Sequence, residues 1–97
     1  MNLTALTNGK VAGTGTVTLQ GQHGDGGTVG GVLISTDGTN AAAVVLRKND
    51  ASGAIVFDLS TKTPIFVTAP ILVANTAQVY FSITGTGASA QLYEWNA

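Results

Sequence analysis

The stretch that decides the fold is Gln78-Val79-Tyr80-Phe81-Ser82-Ile83-Thr84, in which Val79, Phe81 and Ile83 fall at every second position. Side chains of an extended chain point alternately to opposite faces, so these three share one face and Gln78, Ser82 and Thr84 take the other. An amphipathic helix would need apolar residues three and four apart, and no window of the chain carries that spacing. Gly85-Thr86-Gly87 then turns the chain into residues 88–95, with Ala90 and Leu92 on one face and Tyr93 and Trp95 on the other.

Working back from this stretch, short runs rich in Val, Ile and Thr recur between turn clusters. Residues 16–20 place Val17 and Leu19 against Thr16 and Thr18. A glycine-rich loop over 21–27 precedes a strand over 28–36, where Gly30-Gly31 signals a bulge or a close backbone approach. Asp37-Gly38-Thr39-Asn40 turns into a strand over 42–47, and Asn49-Asp50-Ala51-Ser52-Gly53 into one over 54–59 whose Ile55, Phe57 and Leu59 are expected on one face. Pro64 and Pro70 bracket residues 65–69 and break that region into short strands, since proline cannot donate to a ladder. The opening lacks alternation, so residues 1–13 read as an N-terminal arm ahead of a domain over 14–97. The expected fold is all-β: an antiparallel β-sandwich of seven to eight strands, jelly-roll-like, with an immunoglobulin-like arrangement as the alternative.

Composition narrows the function. The 97 residues are 44% hydrophobic and only 9% charged, with four basic and five acidic side chains. Soluble domains ordinarily carry about 25% charged residues, so part of this surface is expected to be covered by other subunits or coated with Thr, Ser, Asn and Gln. A net charge of −1 offers no basic footprint for nucleic acid. Without cysteine there is neither a disulfide framework nor a thiolate metal site, which leaves packing and oligomerisation to hold so small a chain. The start shows no signal-peptide pattern, and the longest apolar run, 65–74, is too short to span a membrane as a helix. The expected partners are therefore proteins: a homo-oligomer, with a trimer as the first assembly to test, and neither nucleic acid nor membrane.

Few residues could carry chemistry. His23 and Asp25 lie two apart in a glycine-rich loop that would not fix their geometry for acid–base work. Asp37 with Asn40 resembles a fragment of a calcium loop, yet the alternating ligands and closing Glu are missing, and a turn explains the pair. Gly85-Thr86-Gly87-Ala88-Ser89-Ala90 matches a dinucleotide fingerprint in letters only, because a strand and not a helix follows it. No catalytic residue, metal or cofactor is expected, and the chain reads as a non-enzyme. The candidate subunit interface is the run Ile65, Phe66, Val67, Ile71, Leu72 and Val73, which is otherwise a central strand of the core, together with Tyr93 and Trp95.

The sequence Gly31-Val32-Leu33-Ile34-Ser35-Thr36-Asp37-Gly38-Thr39-Asn40, running into Val44-Val45-Leu46 and then Asn49-Asp50-Ala51-Ser52-Gly53, resembles small virion proteins of tailed bacteriophages. The aromatic ending Leu92-Tyr93-Glu94-Trp95 adds to that likeness, which extends over residues 28–97. The resemblance implies a capsid decoration or cement protein, or a head-fibre or tail component, located in the virion and partnered by the major capsid protein. It carries over no binding residue.

Overall fold

The computed structural model describes residues 2–19, 27–68 and 78–96, and within them places eight strands. These are β1 (Asn2–Val11), β2 (Gly13–Thr18), β3 (Val29–Ser35), β4 (Ala42–Lys48), β5 (Ile55–Thr61), β6 (Ile65–Thr68), β7 (Gln78–Thr84) and β8 (Ser89–Asn96). A first sheet has the order β1-β8-β3-β6 and a second the order β2-β7-β4-β5, every pairing being antiparallel. No helix occurs among the described residues. The expected β-sandwich is present, and its strand order is that of a jelly roll: the chain changes sheet at each step except β4 to β5.

Alternation explains why these segments pair as they do. Val44, Leu46, Val79, Phe81 and Ile83 from the second sheet meet Val29, Val32, Ile34, Ala90 and Leu92 from the first in one buried cluster. Each fully buried Val, Leu or Ile contributes on the order of 1.5–3 kcal/mol, the main force holding the sheets together. Gly13, at φ 71, makes the corner that carries the chain from β1 in one sheet to β2 in the other, a backbone angle that L side chains resist.

Three expectations are corrected. The opening is not an irregular arm ahead of the domain: β1 pairs with β8, and Leu6 is 6% exposed within the core. Its pattern is hidden by a register shift between Ala5 and Lys10, which resets which residues face inward. Nor do Ile55, Phe57 and Leu59 share a face. A second irregularity opposite Leu46 and Arg47 pairs Ile55 with Arg47 on the outside, 49% exposed, while Phe57 and Leu59 oppose inward Leu46 and Val44. The strand over 65–68 is an edge strand and not a central one, and Ile71, Leu72 and Val73 lie outside the described residues.

Turns fix the ends of the sandwich. Both carboxylate oxygens of Asp37 are engaged: Oδ1 accepts from the N–H of Thr39 and of Asn40, each at 2.8 Å, and Oδ2 from Asn40 Nδ2 at 2.8 Å. Gly87, at φ 74, lies against this turn, where an added Cβ would sit 2.9 Å from Asp37 Cβ. The β3–β4 and β7–β8 connections thus pack on each other at one end.

Candidate interaction surface

The outward side of the first sheet is built around the glycine pair in β3. The ladder to β8 matches Val29 with Glu94 and then Gly31 with Tyr93, leaving Gly30 as an inserted residue. With no side chain at Gly30, Leu3 and Trp95 settle onto the backbone: an added Cβ would lie 2.7 Å from Leu3 Cδ2 and 2.8 Å from Trp95 Cβ. At Gly31 the ring of Phe66 takes the same space, with two of its atoms 3.2 Å from the Cβ position. Its ring meets that of Tyr93 edge-on, with centroids 5.1 Å apart and planes at 62°, a favoured aromatic geometry.

Leu33 extends this cluster. It pairs with Phe66 across β3 and β6, and the two are 37% and 46% exposed. Leu3, Tyr93 and Trp95 are half-buried, and the main chain holds β8 in place, since Trp95 N donates to Thr28 O at 2.8 Å. The result is a contiguous strip of three aromatics and two leucines across β1, β8, β3 and β6. The charged residue at its margin is Lys10, which pairs with outward Gln91.

Of the residues read as an interface, the structure brings Phe66, Tyr93 and Trp95 together on this face. Ile65 and Val67 alternate to the inner side of β6, opposite Ile34 and Val32, where the edge position leaves Ile65 41% exposed. Leu3 and Leu33 were missed. Leu3 lies on the unread strand β1, and Leu33 is flanked by Val32 and Ile34, so that only a ladder fixes its direction. The signal that could have found the strip was Gly30-Gly31, because adjacent glycines in a strand leave space that something must fill.

Among the described residues, no cluster of metal-ligating groups forms: no three His, Cys, Asp or Glu come together as a metal site. His23 and Asp25 fall outside the described residues. Asp37 is exposed and spent on its own turn. The N–H of Asn40 foremost, then the Asn40 side-chain amide and the N–H of Thr39, hold its carboxyl below the usual carboxylate range. Glu94 is 2% exposed on the inner side of β8, and its side chain is engaged. No family model matches the chain, and no curated protein or solved structure does either.

Proposed function

We propose that this chain is a non-enzymatic structural protein of a virion, a capsid decoration or cement protein that binds the outer shell as an oligomer. The observation that carries the reading is the apolar, nearly uncharged strip on the outside of the first sheet, in a chain with 9% charged residues. Interface cores are depleted in charge and enriched in aromatics, as this strip is. The jelly-roll order is shared by many viral capsid domains, a likeness of architecture that supports the reading. Many copies joined by modest contacts reinforce a lattice, because each further contact of an anchored subunit is intramolecular. A head-fibre or tail component is the neighbouring reading within the same class.

One observation favours a second class. Phe66, Tyr93 and Trp95 stand on one outer face, and aromatic rings are what a carbohydrate-binding β-sandwich would offer to a sugar. Binding of purified protein to capsids of the encoding phage from which it has been stripped separates these readings. Saturable binding at a fixed number of copies per capsid, with raised heat resistance of the shell, is expected. Absence of binding to capsids together with retention on a polysaccharide column would replace the proposal by the second reading.

A further inference from the structure

We infer that the outer face of the first sheet is covered by the same face of a second copy of this chain, making a two-fold dimer of four stacked sheets. The inference rests on reading that face as a contact surface and names its occupant. Size is the first argument. Four strands about 4.8 Å apart and some seven residues long at about 3.3 Å each give a face of roughly 450 Å². The two longer molecular axes, 41 and 29 Å, set the upper limit, an ellipse of roughly 900 Å² against about 800 Å² per partner in a standard stable interface. A face between these bounds suits a small, reversible contact and not a large obligate one.

Charge is the second argument. A two-fold contact sets a face against itself, so a face with net charge of one sign repels its copy, whereas this one carries Lys10 at its margin and no other charge among the described residues. A partner recognised by charge would find nothing here to read. Geometry supplies the third argument: antiparallel sheets stack face to face at about 10 Å when side chains interdigitate, and Leu33 stands out beside the rings of Phe66 and Trp95, which lie down on Gly31 and Gly30. Such a contact is isologous and closes at two copies. A trimer would need two different complementary surfaces on each subunit.

Sedimentation equilibrium of the full chain from about 0.5 to 100 μM tests this without reference to any capsid. The expected result is a reversible monomer–dimer equilibrium about a monomer of 9.7 kDa. Phe66→Lys and Leu33→Lys, at exposed positions, should each weaken association at least tenfold, while Ile55→Lys, equally exposed on the other sheet, should leave it unchanged. A wild-type monomer throughout, a trimer, or equal weakening by Ile55→Lys would overturn the inference. If a lysine variant unfolds, the wild-type mass and the Ile55→Lys comparison still decide. A monomer that binds capsids refutes the dimer alone, and a dimer that does not bind them refutes the virion reading alone.

Discussion

The two sheets bury the same kind of side chain and turn different chemistry outward. On the second sheet the outer side carries Thr14, Thr16 and Thr18 along β2, Tyr80 and Ser82 on β7, and Asp58 and Ser60 on β5. Hydroxyls there supply the wetting that a more ordinary chain obtains from Lys and Glu. On the first sheet Leu3, Leu33, Phe66, Tyr93 and Trp95 hold the corresponding positions. What separates the faces is the backbone beneath them, since the Gly30-Gly31 bulge lets large side chains lie down across strands that would otherwise hold them apart. The threonine-clad sheet keeps Arg47 and Asp58 on its outer side, whereas the aromatic one carries Lys10 at its margin.

The comparison is broken most severely by removing residues 1–11. That deletion takes Leu3 from the aromatic face, Leu6 from the core and the ladder partner from β8. Burial of Leu6 alone is worth on the order of 2 kcal/mol, and the ladder and Leu3 go with it, against a total stability of about 5–10 kcal/mol for a domain of this size. Thermal unfolding followed by circular dichroism should lose its cooperative transition. A sharp transition near the wild-type temperature would return β1 to the standing of a detachable arm.

A smaller test addresses the glycine directly. Gly30→Val drives a side chain into Leu3 and Trp95 and should cost about 1–3 kcal/mol in urea unfolding. Trp95, the sole tryptophan, should shift its emission to the red as it is displaced. Thr16→Val, exposed on the opposite sheet, should stay within about 0.5 kcal/mol of wild type. Equal losses from both substitutions would mean that the two faces do not differ in how tightly they are built.

The smallest effect is expected at the β3–β4 turn, which joins the sheets and belongs to neither face. Folding lowers the Asp37 carboxyl pKa, so its stabilising contribution is present above the unfolded value and is lost as pH falls through the folded one, below about pH 4. Asp37→Ala should slightly lower the melting temperature at pH 7 and leave it unchanged near pH 2. A variant that melts lower by the same amount at both pH values would show that the turn is held by something other than its carboxylate.

Where alternation runs unbroken, the sequence was readable. Val79, Phe81 and Ile83 all point inward as their spacing predicts, and Tyr93 and Trp95 both point outward. The two misread facing patterns each sit at a register irregularity. One between Ala5 and Lys10 disguised β1 as irregular chain, and one beside Leu46 and Arg47 turned Ile55 away from Phe57. A single inserted residue reverses every later side chain, and the letters do not say where the insertion falls. The contact strip was half legible for the same reason. Its aromatics announce themselves, but Leu33 could face either way until β6 and β8 are paired with β3.

The pairing of β1 with β8, from Asn2 opposite Asn96 to Val11 opposite Ala90, also sets an order of events during synthesis. Contacts between segments so far apart in sequence are slow to form, because the chain must close a long loop before the contact repays it. As the chain emerges from the ribosome, β1 waits without its ladder until β8 has been made. Leu3 therefore meets Trp95 only after β8 has been made, and a nascent chain stalled before residue 89 would hold most of its core residues and still be unable to close its first sheet.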